Sequence, residues 1–397
     1  MKTSGVTVPT IVEAFRKRYA GEPRLFYAPG RINLIGEHTD YSGGFVMPFA
    51  IDRGVTVAAA RRMDPLLSIY SMDLEKKAEI DIASPASGHS GTWLDYVEGI
   101  VRTLSRRGVE IPGADILVFS SLAMGAGLAS SAAFEIALAI MICGLAGQSP
   151  DPMELVLAAQ ETEHRYAGTQ SGIMDQYISM FGKSGSCLLL DCRSLSSQSI
   201  GFPAEDETLV VCDTGVKHAL ATSEYNLRRA ECEDGLRQIG RHDPNIKSLR
   251  DVSYAYFQQI ENEISEPSRR RCRHVISENH RTLRAAEALE NGNLKLLGQL
   301  MFESHRSLQI DYEVSCRELD TLVEASLHVD GVLGARMTGG GFGGCTINLV
   351  QRAAVERFSE CVDRHYRNAF HASPAIFEVC PSNGAHEIFL HSGSPQY

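Results

Sequence analysis

Apolar positions in this chain recur in two rhythms, and the rhythm changes along its length. An amphipathic helix is predicted from about Pro9, and residues 51–61 (IDRGVTVAAAR) carry the β-branched pattern of a strand. Residues 66–70 and 78–82 continue that pattern. In 93–103, Trp93, Tyr96, Val97 and Ile100 fall on one helical face. A short strand is expected at 114–119, then a helix over 132–145 closed by Gly147. Asp151 and Pro152 read as N-cap and first residue of a helix reaching about Tyr166. Short apolar strands separated by polar turns occupy 182–213. Beyond them the periodicity predicts helices near 223–240, 252–264, 274–291, 294–307 and 315–328, and a strand over 345–350. At 397 residues the chain exceeds one ordinary core. The expectation is an α+β protein of two domains, 1–205 and 206–397, with no internal repeat.

One stretch breaks the usual separation of polar from apolar. Residues 28–48, APGRINLIGEHTDYSGGFVMP, thread Arg31, Asn33, Glu37, His38, Thr39, Asp40 and Tyr41 between Ile32, Leu34, Ile35, Phe45 and Val46. The apolar residues require a core, and a buried charge left without its partner costs about 3–5 kcal/mol. The polar groups must therefore meet one another or line a wet cleft, and a polyhydroxylated ligand suits such a set.

Composition narrows the picture. With 38 basic and 49 acidic residues, the net charge of −11 argues against non-specific nucleic-acid binding. The run Arg269, Arg270, Arg271 and Arg273 reads as a solvated helix face or loop in preference to a polyanion site. Ten cysteines, none in a CxxC pair, suit a reducing cytoplasm. No apolar stretch is long enough to span a membrane.

Chemistry-bearing patterns follow. In Gly125-Ala126-Gly127-Leu128-Ala129-Ser130-Ser131, glycines allow close backbone approach to an anion, and the next helix offers its positive end. A serine-capped helix after a flexible loop explains the same residues. A Walker loop and a spaced GxGxxG are absent. Glu163 could join Ser131 around Mg²⁺, although a helix glutamate is ordinarily a solvated charge. Asp175 stands among Ile173, Met174, Tyr177 and Ile178, as a base, an orienting group or a partner of Arg31. Residues 213–231 add Tyr225, Arg228 and Arg229. Residues 337–345 hold five glycines in nine positions, which either make tight turns with positive φ or let backbone approach a ligand. Zinc spacing and a GxSxG elbow are both missing.

Taken together, GRINLIGEHTDYSGG, GAGLASSAA, SGIMDQ, DTGVKHAL, SEYNLRRAEC and GGGFGG resemble the galactokinases of the GHMP small-molecule kinase superfamily, from about Phe15 to Val350. The resemblance implies a ribosomal S5 domain 2-like first domain, a ferredoxin-like second domain, and a site between them. It implies ATP- and Mg²⁺-dependent phosphorylation of the anomeric hydroxyl of α-D-galactose, the first committed step of galactose catabolism, by a cytoplasmic and plausibly monomeric enzyme. By position, Asp175 would be the base and Arg31 its neighbour. Glu37, His38, Thr39, Asp40, Gly172 and Tyr225 would meet the sugar. Gly125, Ala126, Gly127, Leu128, Ala129, Ser130 and Ser131 would bind the triphosphate, Ser131 and Glu163 the Mg²⁺, and Ser71 and Trp93 the adenine. Three positions depart from the family pattern: Ala129 and Ser42 stand where serine and asparagine are frequent, and Ser171 where cysteine is. The latter two are expected to tune the sugar pocket. Kinases of N-acetylgalactosamine or arabinose, and a catalytically silent sugar–ATP sensor, are the competing readings. The sensor would lack part of the serine loop, which is present here.

Overall fold

A computed structural model describes residues 6–84, 88–123, 125–203, 205–217 and 221–389. Met124 and the His218-Ala219-Leu220 part of DTGVKHAL lie outside the described residues. The first half runs α1 (Val8–Arg18), β1 (Arg24–Asn33), β2 (Phe45–Val46), β3 (Pro48–Arg61), β4 (Leu66–Ser71), β5 (Lys76–Asp81), α2 (Leu94–Arg106) and β6 (Ala114–Ser120). It continues through α3 (Ser130–Ala146), α4 (Pro152–Thr162), α5 (Met174–Phe181), β7 (Ser186–Asp191) and β8 (Ser196–Gly201). The second half holds β9 (Glu207–Lys217), α6 (Ala221–His242), α7 (Tyr254–Ile260), α8 (Ser268–Glu290), α9 (Leu294–Ser307), α10 (Arg317–Ser326), β10 (Val332–Thr338), β11 (Gly343–Gln351), α11 (Val355–Phe370), β12 (Ala375–Val379) and β13 (His386–Ile388).

These strands form a six-stranded sheet ordered β13-β1-β3-β6-β4-β5, a four-stranded sheet β10-β11-β9-β12 and a small sheet β2-β7-β8. Sheet membership changes between Gly201 and Glu207, yet the chain returns when β13 pairs with β1, Leu25 opposite Ile388. Helix α3 is apolar on all sides and packs on β1 and β3, burying Ala132, Ile136, Ala139 and Ile142. A second core gathers Phe257, Val275, Leu308 and Tyr312 from the helices of the second half.

Three departures from periodicity position the site. Strand β1 was not expected, because Pro29-Gly30 interrupts its apolar run and ordinarily argues against a central strand. The structure absorbs the pair as a register shift against β3 between Pro29 and Arg31, and such a bulge re-aims the following side chain. A Cβ on Gly30 would stand 2.6 Å from the Leu128 carbonyl oxygen, so β1 and the serine loop touch through backbone. Second, the helix expected to reach Tyr166 ends at Thr162 and winds on as a π-turn over Glu163–Ala167. Such turns recur at functional sites. Third, α8 begins at Ser268, six residues before the expected start, and so carries the arginine run. That run is not simply solvated. Arg271 is buried between Glu231 (2.6 Å) and Glu313 (2.7 Å), while Arg270 pairs with Glu266 and Arg273 with Glu261. Glu266 and Glu261 are near in sequence, but Glu231 on α6 and Glu313 beyond α9 each stand about 40 positions from Arg271, which local reading cannot supply.

Candidate active site

Two adjoining cavities open over the start of α3. The inner one, about 270 Å³, is lined by Arg31, Glu37, His38, Asp40, the 125–131 loop, Glu163, Ser171, Gly172, Asp175, Tyr225, Gly339 and Gly340, with others. The outer one, about 220 Å³, is walled by Val55, Ser71, Leu74, Trp93, Tyr96, Val118 and Phe134. Tyr96, Ser130 and Ser131 border both. An apolar, aromatic chamber beside a polar one suits a ligand with a planar ring at one end and charge at the other. Ser71 and Trp93 both line the outer chamber. Sequence reasoning missed Tyr96 and Phe134, although both lie on the apolar faces of helices it predicted.

Arg31 and Asp175 meet at the floor of the inner cavity. Arg31 Nε donates to Asp175 Oδ1 at 2.8 Å and Nη2 to Oδ2 at 2.7 Å, a bidentate pair. Its Nη1 donates to the Gly127 carbonyl at 2.5 Å, so one guanidinium ties the carboxylate to the glycine–serine loop. Burial pushes the Asp175 carboxyl above the usual aspartate range, and Arg31 works against that rise. Asp175 lies in the first turn of α5, where a negative charge faces the helix dipole favourably.

Glu163 answers the question the sequence left open. Ser131 Oγ donates to its Oε1 at 2.8 Å, and Ser171 Oγ donates to Oε2. The departure at Ser171 thus bears on Glu163 rather than on the sugar-facing side alone. Glu163 is buried, its carboxyl is raised first by that burial, and it has no ion-pair partner among the described residues. A buried carboxylate with hydroxyls and no cation fits a hard divalent ion that takes its remaining oxygens from phosphates and water. No cluster of three or more His, Cys, Asp or Glu side chains suited to a metal occurs among the described residues, and such an ion needs none. Glu135, missed in the sequence, lies fully buried behind this group, with Gln176 Nε2 donating to it at 3.4 Å and its carboxyl held well above the usual range by burial.

The loop of the polar stretch places its side chains differently from one another. Glu37 Oε1 accepts from Gly339 N–H (2.8 Å) and Thr338 Oγ1 (3.1 Å), beside the buried Arg336 (3.5 Å), while Oε2 has no partner among the described residues. His38, with φ of 61°, has both ring nitrogens engaged: Nε2 lies 3.2 Å from the Gly340 carbonyl and Nδ1 3.0 Å from the Tyr41 hydroxyl. A carbonyl only accepts, so Nε2 carries the hydrogen and Tyr41 donates to Nδ1. Tyr41 is bonded in turn to Tyr312, which meets Cys232 at 3.2 Å. Burial lowers the His38 imidazole to about 3, so it is neutral. Thr39 corrects the expectation of sugar contact. Its side chain is wholly buried, with the hydroxyl against the carbonyls of Gly36 (2.9 Å) and Phe45 (2.7 Å), so it closes the loop instead of facing the cavity. Asp40 faces Gly172, where a Cβ would stand 1.9 Å from Oδ2, so only glycine admits this carboxylate. Burial, then Asp175, lifts Asp40 to about 7.

The C-terminal glycines make positive-φ turns that press against another loop of the chain. Gly339 (φ +84°) would bring a Cβ within 2.8 Å of the Gly127 carbonyl, and Gly344 (φ +81°) within 3.0 Å of that of Ala126. They brace the 125–131 loop by backbone contact. Ala129 takes a left-handed conformation (φ 57°) at the N-cap of α3 and makes no side-chain capping bond, leaving Ser130 and Ser131 as the hydroxyls at the helix start.

Comparison with known proteins agrees with this geometry. Residues 13–61 match the galactokinase galactose-binding signature, 95–183 the GHMP kinases N terminal domain and 285–368 the GHMP kinases C terminal. A galactokinase of Chloroflexus aurantiacus is 44% identical over 88% of this chain and 90% of that one. The galactokinase of Homo sapiens is 40% identical over 89% and 90%. The crystal structure of Lactococcus lactis galactokinase complexed with galactose superposes with a TM-score of 0.92 at 35% identity, covering 96% of this chain and all of that one. Methanococcus jannaschii mevalonate kinase shares the fold alone, with a TM-score of 0.64 at 19% identity over 92% of this chain and 100% of that one.

Proposed function

This chain belongs to the galactokinase family of GHMP kinases, and from that premise we propose that it uses ATP and Mg²⁺ to phosphorylate the anomeric hydroxyl of α-D-galactose. The carrying observation is the Arg31–Asp175 pair, bonded at 2.7 and 2.8 Å at the floor of a cavity shared with the serine loop. In this reading Glu37, Asp40 and Tyr225 bind the sugar, and His38 shapes the wall while its nitrogens hold Gly340 and Tyr41. The anomeric oxygen attacks the γ-phosphorus, and the bond to the β-bridging oxygen breaks, releasing ADP. Asp175 orients the hydroxyl and accepts its proton, while Arg31 stabilises negative charge on the transferred group. Ser131 and Glu163 would hold Mg²⁺, which when bound neutralises charge on the triphosphate. The outer chamber around Ser71, Trp93, Tyr96 and Phe134 takes the adenine. The domain division at 205/206 belongs to the same reading, with β13 as the one strand that crosses back. No helix among the described residues is long and apolar enough to cross a membrane.

A sugar panel tests the assignment. ADP release should depend on galactose and exceed that with N-acetylgalactosamine or arabinose; turnover only with another sugar would overturn it. Glu163→Gln should raise the Mg²⁺ concentration for half-maximal rate by about 10-fold or more, the scale expected when a metal's supporting ligands are altered. An unchanged requirement would remove Glu163 from the metal site.

Asp40 gives a pH signature. Its carboxyl, at about 7 in the free protein, must ionise to act purely as an acceptor for sugar hydroxyls. Accordingly kcat/KM for galactose should rise with pH through about 7 and level off, and Asp40→Asn should abolish that limb. Bound hydroxyls favour the ionised form, so the limb in kcat should lie at lower pH. A stability consequence has the opposite sign. A raised carboxyl stabilises the fold below the ordinary aspartate value, and that contribution is lost as pH climbs to about 7.

A further inference from the structure

On the face of the molecule formed by α7, α8 and α9, Arg273, Ser277, His280, Arg281 and Arg284 recur along one side of α8 and border a groove of about 570 Å³. Its opposite wall comes from α9 and the π-turn that follows it, with Glu303, Arg306 and Asp311, and exposed Tyr254 and Ile310 form the lip. Arg284, Arg306 and His280 make no hydrogen bond or ion pair among the described residues. Two guanidiniums without an ion-pair partner among the described residues thus border one concavity, with Glu303 and Asp311 as its lining carboxylates. Guanidinium groups match phosphate oxygens in bidentate geometry.

The groove is also wired to the sugar loop. Arg281 Nε donates to Glu278 Oε2 at 2.7 Å, and Glu278 Oε1 accepts the Gly36 N–H at 3.1 Å. In parallel, the Ser307 hydroxyl lies 3.0 Å from both Asp311 Oδ2 and His274 Nδ1, and His274 Nε2 is 3.1 Å from the Glu37 carbonyl. Since Nε2 must donate to that carbonyl, the single Ser307 hydrogen is shared between His274 and Asp311. Charge entering the groove would compete for Arg281 and for that hydrogen, and both routes end on the backbone of Gly36 and Glu37.

We propose that this groove is a second binding site, for a small soluble molecule bearing phosphate or pyrophosphate, and that its occupancy weakens sugar binding through Glu278 and His274. The binding claim stands apart from the galactose assignment; only the coupling rests on it. Calorimetry with pyrophosphate, on protein whose nucleotide loop is filled by a nonhydrolysable ATP analogue, should show one further equivalent. Arg284→Ser/Arg306→Ser should weaken it at least about tenfold, and Arg284→Lys/Arg306→Lys should retain most of it. At saturating ATP, pyrophosphate should raise the galactose KM at least about fivefold in the wild type and not in the serine variant. Absence of a further equivalent, equal binding by the serine variant, or binding to anionic vesicles but not to soluble pyrophosphate would overturn the site. Binding with an unmoved galactose KM, in an enzyme that turns over galactose, would overturn the coupling.

Discussion

Asp175→Asn lowers turnover by at least about 10², the scale of a positioned acid–base group, while galactose still binds. The substitution keeps the shape of the side chain but removes its charge and replaces one acceptor oxygen with an amide that faces the Arg31 guanidinium. Only one of the two bonds, at 2.8 and 2.7 Å, can then form. Because sugar recognition is assigned to Glu37, Asp40 and Tyr225, calorimetry should find galactose affinity little changed. Loss of galactose binding along with turnover would reassign Asp175 from the reaction to the pocket.

Arg31→Met has two consequences of comparable size. Removing the guanidinium takes away charge stabilisation at the transferred group, for which about 10²–10³ in kcat is expected. It also leaves the Asp175 carboxylate in a buried site without its cation, a loss of about 3–5 kcal/mol for a broken buried pair. The lower end applies, since the Asp175 side chain keeps 25% of its exposure. Without Arg31 the effect of burial on Asp175 goes unopposed, so its carboxyl rises further above the aspartate range. A raised carboxyl stabilises at low pH and loses that contribution as pH rises through its value. The variant's deficit, read by denaturant melts, should therefore be smaller at pH 5 than at pH 8; a pH-independent deficit would contradict the pairing. The two substitutions remove one interaction, so the double variant should lose less than the sum of the singles.

How far these residues could be read from the sequence depended on how local their causes were. Helices α3, α4 and α9 were legible because their signals lie within each segment: a long apolar run closed by Gly147, the Asp151-Pro152 start, and apolar spacing over 294–307. Helix α11 was equally periodic, burying Phe358, Cys361, Val362 and Tyr366, but was left unassigned. Strand β1 was hidden because its interrupting Pro29-Gly30 is the device that turns Arg31 toward the loop. For Glu37, Asp40 and Asp175 the signal was chemical, since charged groups among apolar neighbours must have a wet cavity or a partner. Thr39 looked the same by that criterion, yet its hydroxyl is satisfied within its own loop. Ser131 and Glu163, 32 positions apart, become neighbours because α4 packs on α3 and Glu163 opens the π-turn that follows α4. Sequence pattern thus identified which groups needed explanation, and tertiary packing decided which of them face a ligand.

The proposed reaction makes one demand on the product, that phosphate is placed on the anomeric oxygen. Phosphorus and proton NMR of the protein with ATP, Mg²⁺ and galactose measures this directly. The expected spectrum shows ADP and a single sugar phosphate, α-D-galactose 1-phosphate, with phosphorus coupled to the anomeric proton. Phosphate at another carbon of the sugar, or inorganic phosphate alone, would contradict the account.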